Sequence, residues 1–371
     1  MKTILAILGA VFLAAPMATQ VTPAATTSVF HAQVKCPTQP AARGYAATAY
    51  DWTRGTVFLI GGIDNITPDL DYPLFDVWSY NTFTHRWTLR LQSDRSNYNA
   101  FQRDAIALDP RSRKVVLYST FVDPSGGLGW GVETWIYDIR RNAFENVTSG
   151  TEPSLRWGSR MVYDAQSRRA ILFGGSNGFT GETLNETWAF DFETKMWTRM
   201  EPAVSPPPHH FAAMAYHPLA DRVVLFGGYD IYPNVVRNDT WTYDYDMNTW
   251  TELHPNVSPP ARLYHAMAWD ITSNRIIMFG GDLTSDADIY QPVAGDTWSL
   301  DLKRNKWTQL APTAAPSARA WHIMEGTWGG VLLFGGSPTH SPFTNDDTWI
   351  FNSHGNRWGG VDFVGGSCPA F

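Results

Sequence analysis

The chain has 371 residues, among them 17 Trp, 30 Gly and 24 Pro, and only 17% are charged, a composition that fits a large all-β domain and no helical protein. Its 35 acidic and 28 basic residues give a net charge of -7 without a basic cluster able to follow a phosphate backbone, so nucleic acid is not an expected partner. Two cysteines, Cys36 and Cys368, exclude a disulfide-rich small fold and any four-cysteine metal site, while 44% hydrophobic residues suffice for a large core.

At the N-terminus, Lys2 precedes an apolar run from Ile4 to Ala15 and then small residues, the layout of a secretory leader. Residues 1–19 are assigned to it, with cleavage between Ala15 and Gln20 and a secreted product. The run is short for a bilayer span and no other apolar stretch is long enough, so no membrane span is expected. Residues 20–42 form an N-terminal segment, 43–358 the body of the fold and 359–371 a closing segment. Asn65, Asn146, Asn185, Asn238 and Asn256 are N-glycosylation acceptors, although Asn185 and Asn238 lie within an N-[DE]-T-W string that a structural repeat would also produce.

From residue 43 onward the sequence repeats. An acidic residue, then Trp two later, then an aromatic nine further on occurs six times: Asp76, Trp78 and Trp87; Glu133, Trp135 and Phe144; Glu186, Trp188 and Trp197; Asp239, Trp241 and Trp250; Asp296, Trp298 and Trp307; Asp347, Trp349 and Trp358. Upstream of each lies an apolar run that ends in Gly-Gly at Gly61, Gly174, Gly227, Gly280 and Gly335; the second copy has Ser119 and Thr120 instead. Copies start at Arg43, Phe101, Arg156, His209, Arg262 and Arg319, spaced 58, 55, 53, 53 and 57 residues apart. Apolar runs closed by Gly-Gly predict buried strands, polar stretches such as DPRSR and DAQSR predict tight hairpins, and the Trp pairs predict packing between sheets. The acidic residue is expected to accept backbone hydrogen bonds at a strand entrance.

Five Gly-Gly runs in register with six aromatic pairs resemble the kelch repeat across residues 43–358, which implies a six-bladed β-propeller of four-stranded blades. Cys36 and Cys368 flank the repeats, and a disulfide between them is expected to tie the chain ends.

With alternating strands, the connections after strand two and between blades share one face, and this face carries the long insertions 63–74, 121–132, 176–184, 229–237, 282–295 and 337–345. A ligand site is expected at its mouth. There the inner strands begin, giving Arg43, Tyr45, Arg103, Arg156, Trp157, His209, Tyr229, Tyr264, Arg319 and Trp321 as substrate-binding residues and His210 and Arg262 as catalytic hydrogen-bond donors. Two roles stay open for Arg43, Arg156, Arg262 and Arg319: donors to a ligand, or ties to blade carbonyls. His265 and His322, in R-x-x-H strings, read as histidines packed between blades, an excuse His209 and His210 lack. No metal motif is visible, and no metal or cofactor is expected.

Among kelch-type propellers, the galactose oxidase family needs a Cys-Tyr cross-link, and here both cysteines lie outside the repeats. In architecture, leader and aromatic pocket composition the chain is similar to the secreted fungal hetero-Diels-Alderases of tropolone-sesquiterpenoid pathways. That resemblance implies a cofactor-free enzyme acting on a small apolar or aromatic substrate. Two other readings stand beside it, a non-catalytic extracellular propeller recognising carbohydrate or protein, and a sugar mutarotase with a histidine proton shuttle.

Overall fold

The computed structural model describes residues 38–67, 70–74, 76–92, 102–122, 130–283, 293–339 and 345–361. Residues 1–19, Cys36 and Cys368 lie outside them, as do the side chains of Asn65 and Arg103. The described strands form six four-stranded antiparallel sheets, each built from one continuous stretch of chain, and three two-stranded ribbons. This is the all-β, six-bladed propeller that the repeat predicts.

The inner strands are Ala47–Asp51, Gln102–Asp109, Arg160–Asp164, Ala213–His217, Ala266–Asp270 and Ile323–Thr327. The second strands, such as Arg169–Phe173 and Arg222–Phe226, are buried along almost their whole length, because packed sheets cover both faces. Aspartates close the hairpins that follow the inner strands: Asp109 accepts from the backbone N–H of Arg111 and Ser112, and Asp164 from that of Gln166 and Ser167.

The Gly-Gly pair is where each second strand breaks off. Both glycines sit at positive φ, for example 70° and 94° at Gly174 and Gly175. A Cβ on Gly174 would stand 2.3 Å from the His209 carbonyl oxygen, so only glycine fits. The second glycine then reaches the next blade: Gly175, Gly228 and Gly281 donate to the carbonyls of His209, Arg262 and Arg319. In the second blade, where Ser119 and Thr120 replace the glycines, the strand does not break and runs from Lys114 to Val122.

The ring closes without strand exchange. Gly336 of blade six donates to the Arg43 carbonyl at 3.0 Å, Trp87 Nε1 donates to Thr348 Oγ1 at 3.2 Å, and Leu59, Trp78, Leu332 and Phe334 share one buried cluster. Blades one and six therefore meet through the same two bonds that join blade three to four, four to five and five to six.

Candidate functional site

Aligning the six inner strands on their last residue gives stacked layers around the axis. The first is Ala47, Ala105, Arg160, Ala213, Ala266 and Ile323; the second is Thr48, Ile106, Met161, Met214, Met267 and Met324. The third is Ala49, Ala107, Val162, Ala215, Ala268 and Glu325, and the fourth includes Tyr50, Tyr163, Tyr216 and Trp269. Small residues at the axis leave a central cavity of about 600 Å³, lined by alanine, methionine and aromatic side chains. That is enough room for a small organic molecule.

Its two ends differ. On the long-loop side, Tyr45, Phe211, Tyr264 and Trp321 converge, with ring centroids 4.4 Å apart for Phe211 and Tyr264 and 5.0 Å for Tyr264 and Trp321. Each has φ between 55° and 59°, a left-handed turn that swings the side chain over the axis. A chain of backbone bonds holds the turns together: Phe211 donates to Gly158, Tyr264 to Phe211 and Trp321 to Tyr264 at 2.9–3.1 Å. Gly158 takes the equivalent place in blade three, and a Cβ there would stand 2.7 Å from the Phe211 ring. The opposite end is rimmed by the hairpins and carries the exposed side chains of Trp52, Leu219 and Trp328. The sequence places the mouth on the long-loop face; the cavity instead lies below it, closed there by aromatics and reaching the hairpin face.

Arg160 and Glu325, with His265 and His322 and, at the hairpin end, Arg111, interrupt the apolar walls. Arg160 lies deep in the channel and is walled by protein except toward the cavity; its Nε donates to the Ala212 carbonyl at 2.8 Å. Burial works against its charge and the neighbouring Tyr45 and Tyr264 phenols work for it, and the guanidinium stays protonated. Among the described residues no carboxylate comes within 4 Å of it. Glu325, in blade six opposite blade three, accepts from Thr48 Oγ1 at 3.3 Å. Burial pushes its carboxyl up to about 8, against the opposing Thr48 bond, so it is protonated at neutral pH.

His265 and His322 also line the channel, one layer above Ala266 and Ile323. Burial, helped by the Arg262 and Arg160 charges, holds His265 well below its ordinary value, and burial with Arg319 lowers His322 to about 3. Their rings pack edge-on against Phe226 and Phe279. The backbone carbonyls of those phenylalanines lie close enough to favour the protonated rings, against the larger effect of burial, and all four ring nitrogens are buried.

The repeat arginines are placed differently from a ligand donor. Arg43, Arg156, Arg262 and Arg319 are 0–2% exposed and clasp the acidic residue of their own blade, Asp76, Glu186, Asp296 and Asp347. Each also donates to the carbonyl of the first glycine of the pair. Arg262 therefore has its donors engaged by protein acceptors, and the expectation that it reaches a substrate is corrected. The acidic residue accepts not a strand-entrance N–H but the indole N–H of the Trp two later, as in Asp296 to Trp298 at 2.6 Å. His209 fills the arginine's place in blade four, with Nδ1 2.6 Å from the Gly227 carbonyl and Nε2 3.4 Å from Asp239. It has the structural role that its sequence context concealed.

His210 packs against Phe211 and Tyr229 above the aromatic closure and outside the cavity lining, with Nδ1 3.1 Å from the Tyr229 carbonyl. Trp157 pairs with Ser176 in a two-residue ribbon, and Tyr229 bonds Asn234. Of the expected residues whose side chains are described, only Tyr45 and Trp321 line the cavity, with Tyr264 packed against both. Arg160 and Glu325 were missed. Their signal is positional: each is the one ionisable residue in a layer whose other five positions are small or aliphatic. Among the described residues no three His, Cys, Asp or Glu side chains form a group able to hold a metal, and no helix is long and apolar enough to cross a membrane.

The chain is similar to curated kelch proteins. Kelch domain-containing protein 10 of Xenopus laevis is 23% identical over 279 residues, covering 72% of this chain and 63% of that protein. Kelch domain-containing protein 2 of Bos taurus is 26% identical over 191 residues, 45% of each chain. Kelch domain-containing protein 3 of Bos taurus is 26% identical over 228 residues, 58% of this chain and 57% of the relative. The chain thus spans 45–63% of the length of these relatives. The family model of the KLHDC2/KLHL20/DRC7 kelch-repeats domain matches residues 126–336 and 219–370, well over half of the sequence, and with the six four-stranded blades it establishes that the chain belongs to this kelch-repeat family.

Proposed function

We propose that this propeller is a secreted, cofactor-independent enzyme that takes a small, mainly apolar or aromatic molecule into its central channel and catalyses a hetero-Diels-Alder cycloaddition. The observation that carries the reading is the channel itself: about 600 Å³, apolar along its walls, and polar only at a few convergent groups. In such a reaction an enone or quinone methide meets an alkene. One C–O and one C–C bond form as three π bonds become one, with no proton or external electron transferred. Walls that hold both partners in contact supply proximity, and a donor on the carbonyl oxygen lowers the energy of the electron-accepting orbital.

Arg160 and the protonated Glu325 are the donors this channel offers, in place of Arg262 and His210. Tyr45 and Trp321, with Tyr264, close the site against the long-loop side. The leader pattern supports secretion, and the four described acceptors Asn146, Asn185, Asn238 and Asn256 are all exposed. One observation favours a second reading, a non-catalytic propeller that recognises carbohydrate: the exposed Trp52 and Trp328 at the channel rim, where Trp328 Nε1 donates to the Trp52 carbonyl, form a stacking surface.

The test is product formation from a quinone methide and an alkene, read for rate and stereochemistry. Arg160→Met should lower the rate about 10 to 1000-fold, the range of a strong transition-state hydrogen bond, without lowering the melting temperature. Identical rate and stereochemistry with and without wild-type protein would remove the enzyme reading and leave the rim as the site.

A further inference from the structure

Arg160, half-buried in the channel wall, differs from the four fully buried arginines of the fold. Arg43, Arg156, Arg262 and Arg319 each meet a carboxylate of their own blade, whereas Arg160 meets none within 4 Å among the described residues. Nor does the fold demand a cation there, since the register-equivalent residues are Ala47, Ala105, Ala213, Ala266 and Ile323. A guanidinium withdrawn from water without a counter-charge weakens a protein, so its retention needs a reason.

No described neighbour supplies a counter-charge. His265 and His322, 1% and 5% exposed, line the same end of the channel with their ring nitrogens buried toward the Phe226 and Phe279 carbonyls. Held neutral by burial, they bring no charge of either sign. Glu325 cannot serve as the counter-ion, being two layers away and protonated at neutral pH. Among the described residues, the closed end of the channel thus holds the Arg160 cation and no carboxylate to offset it.

We infer that the channel binds its ligand as an organic anion, with an ionised oxygen seated on Arg160 beneath the aromatic closure and the apolar body extending toward the hairpin rim. This rests on the small-molecule reading above and narrows it to acidic substrates: carboxylic acids, sulfonic acids or strongly acidic enols. Guanidinium pairs such oxygens with two N–H bonds, and the low-dielectric walls strengthen the pairing.

Two fluorescent probes test it. 1-Anilinonaphthalene-8-sulfonate and N-phenyl-1-naphthylamine share an aromatic body and differ by the sulfonate. Both should bind the wild-type protein at one site per chain, and Met214→Trp, which fills the channel, should remove both. Arg160→Met should weaken the sulfonate at least about tenfold and leave the neutral amine within about twofold. Arg160→Lys should recover part of the loss, and Lys303→Met, an exposed cation outside the channel, should change neither.

On the wild-type protein alone, naphthalene-1-sulfonate should displace the amine at concentrations about tenfold below those 1-naphthol needs, which keeps the inference testable if Arg160→Met does not fold. Equal weakening of both probes by Arg160→Met, or equal competition by sulfonate and naphthol, would overturn the anion assignment while the small-molecule channel stands. Binding of the amine without the sulfonate would likewise overturn only the anion assignment, and failure of both probes to bind wild-type protein would overturn both readings.

Discussion

At the scale of single residues, the acidic side chain that precedes the first Trp has, in the four blades that open with arginine, two jobs that its sequence position does not separate. Asp296 accepts from Trp298 and takes both arms of the Arg262 guanidinium at 2.7 and 2.8 Å. Removing one partner of such a pair leaves the other buried and uncompensated. Arg262→Ala should therefore cost about 3–5 kcal/mol in urea unfolding, while turnover per folded molecule stays near wild type; loss of turnover without loss of stability would return Arg262 to the site. Indole pairing also follows a rule. Trp197, Trp250, Trp307 and Trp358 each donate to a threonine of the preceding blade, Thr134, Thr187, Thr240 and Thr297. In blade two the aromatic is Phe144, and the residue facing it from blade one is Val77, so donor and acceptor are absent together.

Among elements, the inner strands divide what the sequence shows from what it hides. Repeat spacing and the Gly-Gly runs made blades, hairpins and their order legible, because each is a local pattern repeated six times. The candidate site was less legible, since a repeat emphasises what all blades share, whereas the ionisable residues Arg160 and Glu325 each belong to one blade alone. Arg43 and Arg262 drew attention by recurrence, which is the mark of a structural clasp; Arg160 and Glu325 drew none. Glu325 yields a pH prediction. Its carboxyl sits at about 8 when folded and near the ordinary carboxylate value when unfolded, so the native state holds the extra proton. The stability tied to that proton is fully present below about pH 4, and is lost as pH rises through about 8. From β-strand neighbours, Thr48 and Tyr50 face it from blade one, with Arg160 across the channel. Glu325→Gln, which cannot ionise, should match wild type in acid and become progressively more stable than it toward pH 9, at no more than about 1.4 kcal/mol per pH unit. A difference between the two that does not vary with pH, followed by denaturant midpoints, would place this carboxyl in water.

For the whole molecule the question is whether a propeller without strand exchange has a weak seam. Blades one and six are joined by Trp87 to Thr348 at 3.2 Å and by the Gly336 bond to the Arg43 carbonyl, while blades four and five are joined by Trp307 to Thr240 at 3.1 Å and by the Gly228 bond to the Arg262 carbonyl. Trp87 and Trp307 are each 1% exposed, and each packs on the phenylalanine that ends a second strand, Phe334 or Phe226, with ring centroids 5.2 Å apart. On this geometry the seam is one more interface of the ring. Trp87→Phe and Trp307→Phe should then cost the same, about 1–3 kcal/mol each for a threonine hydroxyl left without its donor and a smaller ring in place of the indole. Both variants should unfold in one transition seen alike by tryptophan fluorescence and far-ultraviolet circular dichroism, because a ring opened at any interface exposes two sheet edges and loses its neighbours' support. If the Cys36 to Cys368 bridge expected from sequence forms, reduction should lower the melting temperature of both variants equally, since a bridge acts mainly on the unfolded chain. A larger cost at Trp87, or an early transition seen only in that variant and deepened by reduction, would show instead that the ring depends on its covalent tie and that blade one detaches first.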